Sequence, residues 1–131
     1  MKIEINSSID ELSVVESFVD ELNLKLSFPD EVYGNIMIAV TEAVNNSIVH
    51  GNRFDKNKKI LIEAHQEKPN VLSLKIKDEG FGFDPAKVKD PTLPENIRDV
   101  GGRGIFVMKY LADDILFNDI GNMIELRFLL Q

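Results

Sequence analysis

The sequence predicts an α/β sandwich, a two-layer fold in which a mixed sheet carries helices on one face. Two observations carry that prediction. Helical and alternating apolar patterns follow one another in the order β-α-α-β-β-loop-α-β-β, and a long stretch bearing glycines and prolines, residues 79–103, divides the first five elements from the last three. At 131 residues the chain is long enough to bury its own core, and it reads as one domain over 1–131.

Residues 2–6 alternate apolar and polar and form a short strand. Ser8 followed by Glu11 reads as a capping box, after which Ile9, Leu12, Val15, Val19 and Leu22 recur at helical spacing, so a first helix runs about 9–25. Pro29 sits where the first turn of a helix tolerates proline. A second helix continues from there to about His50, where Gly51 stops it. Residues 58–66 and 71–77 are strands joined by a turn at Glu67-Lys68-Pro69-Asn70, with Leu72, Leu74 and Ile76 on one face and Ser73, Lys75 and Lys77 on the other. A loop as long as 79–103 in a small domain is usually functional or disordered. A third helix, about 104–112, places Ile105, Met108 and Leu111 on one face. Strands at 115–118 and 123–130 close the fold around Gly121-Asn122.

Composition removes several classes of function. Without cysteine there are no disulfides or thiolate metal sites, and two histidines are too few for most zinc sites. A net charge of −7 without a long Lys/Arg cluster argues against nucleic acid or an anionic membrane surface as partner. The opening Met1-Lys2-Ile3-Glu4-Ile5-Asn6 is not a signal peptide, and no apolar run reaches the roughly 18–20 residues of a membrane span. A cytoplasmic location is expected.

Three motifs carry chemistry. Glu42 and Asn46 lie four apart on the second helix and share a face beside the apolar stripe of Ile36, Val40, Ala43 and Val44. A solvated helix face would look the same. A site would use the carboxylate near a reacting group and the amide oxygen on a hard cation such as magnesium, which combines few protein oxygens with phosphate and water. Asp78-Glu79-Gly80-Phe81-Gly82 follows directly on a strand. It is either a tight turn or a ligand loop, in which Asp78 accepts from an exocyclic amine and the glycines admit close backbone approach. Gly101-Gly102-Arg103-Gly104 precedes the third helix. It is either a hinge or a phosphate-binding helix start, where free N–H groups meet anions. Neither a P-loop nor a dinucleotide fingerprint is present.

In this order and on these elements, the motifs resemble those of the GHKL ATPases, the superfamily of gyrase, heat-shock chaperones, histidine kinases and mismatch-repair proteins. The E-x-x-x-N box is Glu42-Ala43-Val44-Asn45-Asn46, the D-x-G-x-G box is Asp78 to Gly82, and the G-x-G box is Gly102-Arg103-Gly104. The wording Thr41-Glu42-Ala43-Val44-Asn45-Asn46 followed by His50-Gly51-Asn52 is most similar to the bacterial anti-sigma factor serine kinases, and the resemblance covers essentially the whole chain.

The resemblance implies a Bergerat-type ATP-binding fold that uses ATP and Mg2+. It implies Glu42 as general base, Asn46 as magnesium ligand and Asp78 as acceptor for the adenine amino group. Gly80 and Gly82 would shape the adenine floor, while Gly102 and Gly104 would let a lid over 83–101 wrap the phosphates. Some relatives place an arginine two residues before the glycine of the last box. Here that position is Val100, with Arg98 and Arg103 as neighbouring phosphate contacts. The implied activity is a serine kinase that binds a sigma factor and phosphorylates a serine on an anti-anti-sigma (STAS-domain) antagonist, with homodimers common in the family. The alternative is an ATP-binding module without transfer activity that switches partners through lid conformation.

Overall fold

The structure is a computed structural model that describes residues 1–80 and 100–130; for 100–103 it describes the backbone alone. Strand β1 (Lys2–Asn6) leads through a single 3-10 turn (Ile9–Glu11) into helix α1 (Leu12–Leu26). The Ser8 hydroxyl caps this start by accepting from the Asp10 N–H at 3.3 Å, one residue earlier than a capping box places it. Helix α1 ends at Ser27, whose left-handed backbone (φ 52°) turns the chain, and the Asn23 side chain accepts from the Phe28 N–H at 2.9 Å. Helix α2 (Asp30–Asn46) starts directly after Pro29 and runs on into one π-helical turn, Ser47–Gly51. Strands β2 (Lys59–Lys68) and β3 (Val71–Lys77), helix α3 (Val100–Leu111), and strands β4 (Asp114–Phe117) and β5 (Met123–Leu129) complete the order that the sequence predicts.

The five strands lie in the order β1-β2-β3-β5-β4. Ile3, Ile62, Ile76 and Ile124 stand in one row across four of them, and the next inward rows hold Ala64, Leu74 and Leu126, then Leu72 and Phe128. Nearly all are buried under the helices together with Ile36, Ala39, Val40, Ala43 and Val44 of α2. Helix α2 lies over the central strands β3 and β5, with α1 and α3 packed on either side of it. The opposite sheet face carries the row Lys2, Glu63, Lys75 and Glu125, alternating in sign, which is why helices cover one face and leave the other to water.

Strand direction differs from the mixed sheet expected, because all four pairings are antiparallel. The connections explain this. Two antiparallel helices between β1 and β2 return the chain reversed. The single-helix crossover from β3 does make β4 parallel to β3, but β5 folds back and inserts between them. Within the sandwich helix and sheet order, that insertion alone removes a parallel neighbour pair.

Helix α3 also starts earlier than expected, at Val100 rather than 104. Three glycines in four residues lower helix propensity enough to hide the first turn in the sequence, and packing against α2 overrides it. Gly82, Arg98 and most of the segment expected to form a lid, 83–99, lie outside the described residues.

Candidate functional site

Five chain segments converge at one end of the sandwich: the end of β1, the last turn of α2, the start of β2, the end of β3 and the start of α3. The three motifs of the sequence meet there. Glu42 and Asn46, both half-buried, sit on the last two turns of α2. Asp78 follows immediately on β3, and its N–H donates to the Asn122 carbonyl at 2.9 Å, which ties it to the turn that precedes the neighbouring strand β5.

The Asp78 carboxylate is the buried charge of the site, 7% exposed. The Gly80 N–H donates to its Oδ1 at 2.8 Å, and the Ser47 hydroxyl donates to it from the π turn. Burial pushes its pKa above the ordinary carboxylate value, while the Gly80 and Ser47 hydrogen bonds and the nearby Lys58 charge pull the other way. Glycine is required around it for space. A Cβ on Gly51 would stand 2.3 Å from Asp78 Oδ2, and a Cβ on Gly80 would stand 2.1 Å from the Gly51 carbonyl oxygen. Bare backbone therefore forms two walls of the Asp78 corner.

At the other end of the site, Gly104 lets α3 approach α2. A Cβ there would stand 3.0 Å from Asn46 Nδ2. The first turn of α3, which contains Gly102 and Arg103, immediately precedes this contact, and the first turn of a helix offers free N–H groups and partial positive charge. The cradle left by Gly51, Gly80 and Gly104, with a buried carboxylate at one end and an amide beside a helix N-terminus at the other, fits a purine base and its phosphates. Asn46 fits a magnesium ion as one hard oxygen donor among phosphate and water ligands. Among the described residues no cluster of three or more His, Asp and Glu side chains forms a metal site.

Sequence reasoning missed Ser47, Gly51 and Asn52 as members of this site. Gly51 reads as a helix stop, and nothing in the spacing foretells the π turn, which the Asn52 N–H closes by donating to the Ser47 carbonyl at 2.7 Å. Single π turns occur disproportionately at functional sites. The next two residues, Arg53 (φ 52°) and Phe54 (φ 60°), are left-handed, each costing roughly 1–2 kcal/mol relative to ordinary backbone. The His50-Gly51-Asn52 wording, which carried part of the family resemblance, was the available signal.

Comparison with known proteins bears on the family and the fold. The family model described as a histidine kinase-like ATPase domain matches residues 5–128. The anti-sigma F factor of Priestia megaterium is 31% identical over 88% of this chain and 82% of its own length. The serine-protein kinase RsbW of Listeria innocua is 30% identical over 70% of this chain, and the match spans 62% of that protein's length. The crystal structure of the RsbU and RsbW domains of a Mycobacterium tuberculosis protein superposes on 99% of this chain and 32% of its own, with a TM-score of 0.70 at 16% identity, a likeness of fold. No helix among the described residues is long and apolar enough to cross a membrane.

Proposed function

The chain belongs to the histidine kinase-like ATPase family, and we propose that it is an anti-sigma factor serine kinase: it binds a sigma factor and transfers phosphate from ATP to a serine of an anti-anti-sigma antagonist. The observation that carries the nucleotide part is the Asp78 corner, a buried carboxylate enclosed by the bare backbone of Gly51 and Gly80. The relatives named as serine-protein kinase and anti-sigma F factor support the rest.

Asp78 accepts a hydrogen bond from the exocyclic amine of adenine and disfavours guanine, which presents an oxygen there. Gly80 forms the floor beneath the base. Asn46 contributes an amide oxygen to magnesium, which when bound offsets charge on the phosphates. Gly102 and Gly104 bring the first turn of α3 close enough for its N–H groups to meet those phosphates. Glu42, one helical turn before Asn46, takes the proton of the serine hydroxyl as its oxygen attacks the γ-phosphorus. The bond to the bridging oxygen breaks and ADP leaves. Positioning and electrostatics dominate phosphoryl transfer, so a base, a metal ligand and a helix start are sufficient parts.

The second reading is a nucleotide-switched binding module without transfer, favoured by Val100 at the head of α3, where some relatives hold an arginine. Incubating the chain with γ-labelled ATP and a purified antagonist separates the two. Labelled phosphoserine on the antagonist supports the kinase, and binding without label supports the module.

A further inference from the structure

Asn52 is 1% exposed, and every polar hydrogen and the oxygen of its side chain are engaged. Its Nδ2 donates to Ser7 Oγ at 2.5 Å, just past β1, and to the Lys59 carbonyl at 3.0 Å, the first residue of β2. Its Oδ1 accepts from the Glu79 N–H at 2.8 Å. Glu79 returns to the same place, because its carboxylate accepts from the Lys59 N–H at 2.5 Å. Asn52, Glu79 and Lys59 therefore close a ring of three hydrogen bonds that joins the π turn to β2 and to the residue after Asp78.

We infer that Asn52 is the positioning residue for base selection at Asp78, an inference that rests on the adenine reading of that carboxylate. The Asp78 backbone is clamped on both sides. Its own N–H is held by the Asn122 carbonyl, and the next N–H, that of Glu79, is held by Asn52. With both peptides fixed, the side chain has one direction left, along the wall that Gly51 leaves open, where Ser47 and Gly80 meet it. Glu79 is exposed, so without Asn52 its N–H would turn to water, the 78–80 turn would keep only the Asn122 anchor at its start and the Lys59 contact of the Glu79 side chain, and the carboxylate would lose its fixed angle to the base edge. A short hydrogen bond to a purine amine tolerates little such rotation. Asn52 touches no substrate in this scheme; it acts through Asp78.

The test is the ratio of ATP to GTP affinity, measured with magnesium well below each variant's melting temperature. The wild type prefers ATP. Asn52→Ala lowers the ratio about tenfold, the worth of one well-made hydrogen bond. Asn52→Asp, which keeps the acceptor for the Glu79 N–H, holds the ratio closer to wild type. Leu22→Ala, a core change on α1, lowers the melting temperature and leaves the ratio unchanged. A ratio in Asn52→Ala equal to that of the wild type overturns the inference while the nucleotide reading stands; a wild type that binds neither nucleotide overturns both. Amide hydrogen exchange needs no variant. The Glu79 N–H should be strongly protected in the free wild-type chain, and exchange at the rate of an open peptide also overturns the inference.

Discussion

The two ends of the candidate site are built differently. At the base end, Asp78 is buried, held by Ser47 and Gly80, walled by Gly51, and locked at its backbone by the Asn122 carbonyl on one side and the Asn52 side chain on the other. At the phosphate end, two helices meet at one close approach, Gly104 against Asn46. Under the proposed function, the contrast follows from what each end would recognise. A base edge is a rigid pattern of donors and acceptors, and it is read well only by groups that are already fixed. Phosphates and a hydrated cation are satisfied by any dense set of N–H groups and oxygens, so a helix start and one amide suffice.

The largest effect should come from Glu42→Ala, which reaches neither end directly. It should lower single-turnover transfer to a purified antagonist by about 10²–10⁴-fold, the usual worth of a general base, with nucleotide affinity little changed. Transfer at the wild-type rate would remove Glu42 from the chemistry and favour the binding module. Asp78→Asn breaks the rigid end. Calorimetric titration should show ATP bound more weakly by roughly 1–3 kcal/mol. The same variant carries a pH signature. The folded pKa of Asp78 is raised above its unfolded value, so the folded chain binds that proton more tightly, and its contribution to stability grows as pH falls through the interval between the two values. Thermal melts across that interval should show the gain in wild type and its loss in Asp78→Asn. ATP affinity should move oppositely and weaken as the carboxylate protonates.

Asn46→Ala tests the loose end. Titrations with and without magnesium should lose most of the metal-dependent part of affinity, while the preference for ATP over GTP survives. Gly104→Ala should give the smallest change. The new Cβ meets only the tip of the Asn46 amide, and alanine favours a helix by about 1 kcal/mol over glycine. Stability should shift within about 1 kcal/mol, and magnesium-ATP affinity should fall only slightly. A large loss there would mean that the phosphate end is as rigid as the base end.

The same division decides what the sequence discloses. Glu42 and Asn46 were legible because a four-residue spacing on an amphipathic helix fixes a shared face, and Asp78 was legible because it ends an alternating strand. Their meeting at one end of the sandwich follows from the order of elements. Ser47, Gly51 and Asn52 were not legible as parts of the site. The bonds of Asn52 to Ser7 and Glu79 span 45 and 27 residues, and no local periodicity encodes them. The start of α3 was misplaced because propensity argues against three glycines that packing accepts. The purely antiparallel sheet was hidden because the insertion of β5 is decided by where the last strand docks.

That insertion has a consequence for synthesis. β5, the last of the five described strands to leave the ribosome, is an interior strand, with β3 on one side along Val71–Lys77 and β4 on the other along Asp114–Phe117. Until residues 123–129 emerge, β3 has an open edge, β4 has no partner among the described strands, and Asn122 has no paired strand behind it to hold its carbonyl at Asp78. A nascent chain stopped short of Met123 would hold both helices of the α1–α2 hairpin and every residue of the Glu42–Asn46 motif, yet expose an unpaired strand edge. Such a fragment is a better substrate for chaperones and proteases than for nucleotide.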